Sequence, residues 1–187
     1  MRAVIRAEEF KRLINNTKRF TGDCSNKLMQ YIYLEVNADT KEIRATALDG
    51  HRVSIEYAGV MEVDESFSCY CRKDIPKISK HDLNVELELV DKKLFITVGD
   101  YITGYKQPEG EYFKLDEFVK GVETIPVEGS VCVDAKLLKE ALESVNQNGI
   151  NRVVKIEIRN KKAAIVIAPA NAKRNAKYVL PVAWRED

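Results

Sequence analysis

The chain has 187 residues, and its 30 basic side chains stand against 29 acidic ones for a net charge of +1. That balance excludes a bulk basic surplus of the kind that grips nucleic acid by counterion release, where each neutralised phosphate adds about 0.9 to the salt slope. No apolar run approaches the ~20 residues of a membrane span, and the N-terminus lacks a signal peptide's apolar core, so a cytoplasmic protein is expected. The cysteines are Cys24, Cys69, Cys71 and Cys132. None forms a Cys-x-x-Cys pair, so no metal and no cofactor is expected, and the thiols fit a reducing compartment.

In chain order, residues 3–6 read as a short strand. A helix follows, with Phe10, Leu13, Ile14 and Thr17 at i, i+3, i+4 and i+7, which gives one apolar face. Arg12, Asn15, Asn16 and Arg19 fall on the opposite face, flanked by Lys11 and Lys18. Residues 33–46 alternate with period 2 around the turn Asp39-Thr-Lys, and residues 52–58 form a further strand. Between them lies the polar turn Leu48-Asp-Gly-His-Arg-Val53, where Gly50 permits an unusual backbone angle.

The order then repeats. Residues 66–71 read as a strand that puts Cys69 and Cys71 on one side, towards the core. A short helix is expected over 74–80, with Asp74 as cap and Pro76 in the first turn, where proline is tolerated. A hairpin over 85–98 and a strand over 101–106 follow. In the last third, residues 130–133 precede a helix capped by Asp134, with Leu137, Leu138, Ala141, Leu142 and Val145 as its stripe and Gly149 past its end. A hairpin over 154–167 and a strand over 177–184 close the chain.

The segments Val85-Glu-Leu-Glu-Leu-Val-Asp-Lys-Lys and Val154-Lys-Ile-Glu-Ile-Arg-Asn-Lys-Lys align directly, and the hairpin around Asp39 has the same shape. A shared Lys-bearing turn in each hairpin points to duplication of a β-α-β-β-β unit. The expected fold is α+β, with antiparallel sheets and helices on one face. Two units make a complete domain over 1–122, and the third makes half a domain over 126–187. Local basic groups sit on or beside the helices: Lys11, Arg12, Lys18 and Arg19 on the first; Lys73, Lys77 and Lys80 around the second; Lys136 and Lys139 on the third, diluted by Glu140 and Glu143.

Ala45-Thr-Ala-Leu-Asp-Gly-His-Arg-Val53 resembles the Ala-Thr-Asp-Gly-His-Arg-Leu signature of the middle domain of bacterial DNA polymerase III beta subunits, the sliding clamps. The stretch from Glu109 to Val119 resembles the segment closing that domain, with Phe113 where a proline is expected. Val133-Asp-Ala-Lys-Leu-Leu and Tyr178-Val-Leu-Pro-Val182 resemble the final unit and its Val-Met-Pro-Met terminus. The resemblance implies a DNA clamp fold and a processivity factor of DNA replication, with helices lining a hole around duplex DNA and basic side chains facing phosphates without reading bases. Lys11, Arg12, Lys18, Arg19, Lys73, Lys77, Lys80, Lys136 and Lys139 are the DNA-facing candidates it implies.

The resemblance also implies a partner-peptide pocket for polymerases and the clamp loader. By position it takes Gly50, His51, Arg52 and Val53 on one side and Leu180, Pro181 and Val182 on the other. Family subunits carry six units and close a ring of twelve as dimers. Three units in this chain imply a homo-oligomer, a homotetrameric ring, with the third unit completing a domain with another chain's third unit. A clamp-like module that never encircles DNA and competes for clamp-binding partners is the alternative. Catalysis is not expected: Asp49, His51, Cys69 and Cys132 are the remote acid/base or nucleophile candidates, with neither a recognised catalytic spacing nor a phosphate-cradling glycine loop.

Overall fold

The structure is a computed structural model that describes residues 1–22, 26–127, 129–145, 153–158, 164–170 and 177–182. It divides into two compact units, Met1–Lys114 and Leu115–Asp187. The first begins with β1 (Arg2–Arg6) and α1 (Ala7–Thr17). Then come β2 (Ile32–Asn37), β3 (Glu42–Leu48), β4 (Val53–Gly59), β5 (Glu62–Val63) and β6 (Phe67–Cys71), followed by β7 (Asn84–Val90), β8 (Lys93–Val98) and β9 (Tyr101–Lys106). The second holds α2 (Leu115–Glu123), α3 (Ala135–Val145), β10 (Val154–Glu157), β11 (Ile165–Pro169) and β12 (Lys177–Val179).

The hairpins form where period-2 burial and turn chemistry agree. In β2–β3, Leu34 and Val36 are buried and pair with Ala45 and Ile43, while Asn37 Oδ1 accepts from the amides of Asp39 and Thr40 to shape the turn. Lys41 closes that turn at φ 50°, and Asp91 and Lys92 take φ 48° and 58° in the tight turn joining β7 to β8. Two successive positive φ values match the right-handed twist of the flanking strands.

The two halves of the first unit exchange their leading strands. The first sheet runs β4-β3-β2-β6 and the second β5-β1-β7-β8-β9. Thus β6 of the second half closes the first half's sheet, and β1 of the first half closes the second's, both antiparallel. Helix α1 lies against β3 and β4 of one sheet and β1 and β7 of the other. Its buried residues are Ala7, Phe10, Leu13, Ile14 and Thr17, the expected face. The four apolar ones join Ile5, Ile32, Leu34, Ile43, Val85, Leu87 and Ile96 in one core. Burial of that apolar area is the main stabilising term.

One expected element is absent. Residues 74–79 form neither helix nor strand, so the second half reads β-β-β-β. Pro76 removes an N–H and pushes Ile75 out of the helical region, and seven residues are too few to repay nucleation. Ile78 is nonetheless buried in the core, and its carbonyl accepts from Lys11 Nζ at 3.2 Å.

In the second unit, α3 begins where Asp134 Oδ1 accepts from the amides of Lys136 and Leu137 at 2.8 and 3.0 Å, the expected cap. It packs on β11 and β12 over Ile165, Ile167 and Val179. The strand expected over 130–133 is reduced to a single bridge, Val133 to Pro181. Gly149, and the hairpin turn at Asn160, lie outside the described residues.

Candidate nucleic-acid and partner interfaces

The turn after β3 is held by one carboxylate. Asp49 Oδ1 accepts from the amides of His51 and Arg52, each at 3.0 Å, and Oδ2 accepts from Arg52 Nε and Nη2 at 2.9 and 2.7 Å. The Arg52 side chain, followed by the His51 amide, holds the Asp49 carboxyl below its ordinary pKa. Gly50 sits at φ 84°, a left-handed angle that a side chain would oppose. Arg52 also donates to the Arg19 carbonyl at 2.9 Å and lies 5.0 Å over the Phe20 ring. Its guanidinium therefore ties the turn to Arg19 and Phe20, just beyond α1, while His51 is exposed. Below the turn, Val53 packs with Leu48, Leu28, Tyr70 and Tyr112, and Tyr33 stacks on Tyr112 at a centroid distance of 4.8 Å. This aromatic floor carries no sequence signal, because its tyrosines come from residues far apart in the chain.

In the second unit, Val179 is buried, whereas Leu180 is 71% exposed and Val182 44% exposed. Leu137, expected on the buried stripe of α3, is half exposed and instead lines a groove of about 630 Å³ with Ala141, Tyr178 and Leu180. Leu137 and Tyr178 thus join the residues at the Leu180–Val182 segment. Their spacing along the helix and strand does not separate this role from core packing. Pro181 is fixed by its bridge to Val133.

The basic candidates divide sharply. Arg12 is engaged: it pairs with Glu9 at 2.8 Å and Glu56 at 2.7 Å, and donates to the Tyr57 carbonyl at 2.6 Å. Lys18 donates to Asn15 Oδ1 at 2.7 Å. Lys11 and Lys80 come together with Arg6 around one cleft of about 650 Å³. Lys73 lies on a different cleft with Arg72, Thr21 and Tyr31. Lys77, Arg19 and Lys136 are exposed, and Lys139 pairs with Glu143 at 3.7 Å. The remote catalytic candidates fare differently: Asp49 is committed to the turn, Cys69 is buried and Cys132 is exposed. Among the described residues, no group of three or more His, Cys, Asp or Glu is placed to hold a metal ion.

The exchanged-strand domain, followed by a helix-on-sheet half, is the architecture of a DNA sliding clamp. Its solved counterparts are bacterial DNA polymerase III beta subunits. A putative beta subunit from Eubacterium rectale matches with a TM-score of 0.78 at 19% identity, over 97% of this chain and 50% of that one. The Bacillus subtilis sliding clamp matches with a TM-score of 0.77 at 16% identity, over 97% and 49%. A Pseudomonas aeruginosa sliding clamp gives 0.75 at 18% identity, over 97% and 50%. This chain therefore spans about half the length of the clamps it matches. No family profile and no curated protein sequence matches it.

Proposed function

We propose that this chain is a sliding-clamp-type processivity factor. It encircles duplex DNA without reading sequence and carries replication or repair partners, which dock through short peptides. The observation behind the reading is the clamp fold itself, matched over nearly the whole chain. The DNA contacts are assigned to Lys11 and Lys80 first, then Lys73, Lys77, Lys18, Arg19, Lys136 and Lys139; Arg12, which is already paired, comes last. Partner peptides are assigned to the Gly50–Val53 turn and to the Leu180–Val182 segment with its groove. Each chain holds three clamp half-domains, so four copies supply the twelve of a closed ring. Catalysis is not part of the role.

The test is mass in solution followed by retention on DNA. A particle near four times 21.3 kDa that stays on a nicked circle and runs off after linearisation is expected. A stable monomer or dimer lost equally from both DNAs overturns the encircling role. The engagement of Arg12 by two acids favours a second reading, a clamp-like module that binds partner peptides without DNA. Peptide binding that persists without DNA retention, and is lost in Pro181→Asp, selects it.

A further inference from the structure

The first unit shows how two clamp halves join, and among the described residues the second unit carries both sides of that joint unoccupied. Strand β1 is paired along both edges. On one it meets its own half's last strand: Ala3 faces Val63, and Met61 donates its amide to the Val4 carbonyl at 2.8 Å. On the other it meets the hairpin of the other half: Ile5 faces Val85, Val4 faces Glu86 and Ala3 faces Leu87.

The third half repeats the first of these pairings. Val133 stands two residues before α3, as Ile5 stands two before α1, so Cys132 matches Val4 and Val131 matches Ala3. The Val182 amide donates to the Cys132 carbonyl at 2.9 Å, the counterpart of the Met61 to Val4 bond. Among the described residues, the second pairing is missing. The outer edge of β10 meets no strand, and neither does the other edge of 131–133.

Burial agrees. Val85 and Leu87 in β7 are fully buried, whereas Ile156 is 48% exposed even though it faces the buried Ile167 across the sheet, and Ile158 is 51% exposed. An unpaired edge beside an uncovered apolar face is a template for another chain.

We infer that a second copy of this chain fills both gaps at once, in a two-fold pairing that continues the half-to-half interface already made twice in the first unit. Segment 131–133 of each copy adds to β10 of the other, antiparallel. Transferring the β1–β7 register through the repeat sets Val133 opposite Val154, Cys132 opposite Lys155 and Val131 opposite Ile156. The two valines then cover the exposed core face of β10, and Cys132 and Lys155 lie together on the outer face, where both are exposed. One unit holding both complementary edges is what an isologous dimer requires. This interface rests on the homo-oligomer reading above and specifies its contact.

The test is a disulfide in the full-length chain. In a Cys24→Ser background, Lys155→Cys is oxidised with glutathione disulfide, which is reduced to two thiols as the protein's two thiols join. Residues directly opposite across an antiparallel pair lie within disulfide reach. A covalent dimer in which Cys132 of one copy is linked to the introduced thiol of the other, mapped by mass spectrometry and absent after Cys132→Ser, is expected. Glu157→Cys, out of register by two, should link far more slowly. Failure of Cys132 to link to the introduced thiol, in a protein that is still tetrameric by mass, overturns this interface and leaves the ring standing. A link between the introduced thiols of two copies overturns it in favour of β10 pairing with itself. A dimer linked through Cys132 that never reaches a tetramer keeps the interface and removes the ring.

Discussion

The Asp49 turn is buttressed from behind by Gly22, and a single methyl group tests that support. A Cβ added at Gly22 would stand 2.6 Å from Asp49 Cβ and 2.8 Å from Asp49 Cα. Carbon atoms rest comfortably at about 3.5–4.0 Å, so roughly 1 Å must be opened against a residue whose carboxylate accepts four hydrogen bonds. Overpacking of this kind costs about 1–3 kcal/mol. The same Gly→Ala change stiffens the unfolded chain and returns about 0.4–1 kcal/mol. The net expectation for Gly22→Ala is a loss of about 1–2 kcal/mol. With a urea m-value of about 2 kcal/mol/M, the midpoint should fall by about 0.5–1 M. Gly59→Ala is the matched control, because nothing lies within 4 Å of its added Cβ; it should be neutral or slightly stabilising. The assay is a urea titration followed by near-ultraviolet circular dichroism, which reads the packed Tyr31, Tyr33, Tyr70 and Tyr112 beside the turn. A Gly22→Ala midpoint at or above that of Gly59→Ala would refute the close approach and with it the buttressed turn.

Asp49 also predicts an acid limb. Its carboxyl is held below its ordinary pKa in the folded state, so its contribution is complete above the unfolded value of about 3.9 and is lost as pH falls through the lower folded value. The melting temperature of Asp49→Asn should therefore lie below that of the unaltered protein at pH 6 and converge with it below about pH 4; a constant gap would contradict the pairing. Thr46 Oγ1 is buried with no hydrogen-bond partner among the described residues. Replacing Thr46 with Val removes that orphan group at nearly constant shape and should raise stability by about 1 kcal/mol, where a loss in urea unfolding would show a hidden partner. Burial pushes the Cys69 thiol well up and the Cys71 thiol up to about 12. Peptide mapping after iodoacetamide at pH 8 should find Cys132 alkylated and both buried thiols intact until urea unfolds the first unit. Early modification of Cys71 would place β6 outside the core.

What was legible in the sequence was local. The α1 stripe, the β2–β3 and β7–β8 hairpins and the Asp134 cap all depend on residues within a few positions of one another, and each formed as read. The helix at 74–80 failed because a capping residue such as Asp74 can open a helix or a loop alike, while Pro76 and brevity oppose the helix. Strand exchange was invisible, since period-2 alternation says which face of β1 is buried but not that its partner is β7, about eighty residues on. The charge environment of α1 was hidden for the same reason. Glu9, one turn before Arg12, is visible in the sequence, but nothing local shows that Glu56 reaches Arg12 from β4.

That pairing bears on how such a surface works. A clamp that must slide needs cations near phosphate without deep wells along the path, and a guanidinium already held by two carboxylates offers little to a passing backbone. Lysines at one cleft, such as Lys11 and Lys80, offer compact point charges instead, Lys11 held only by the Ile78 carbonyl at 3.2 Å, and each makes a weak and salt-screened contact. Under the proposed encircling role a near-neutral net charge would suffice, because linkage through a ring, rather than charge, would supply retention. In that proposal the edges of β10 and of segment 131–133, beside the exposed Ile156 and Ile158, supply one of the two contacts that a four-copy ring needs.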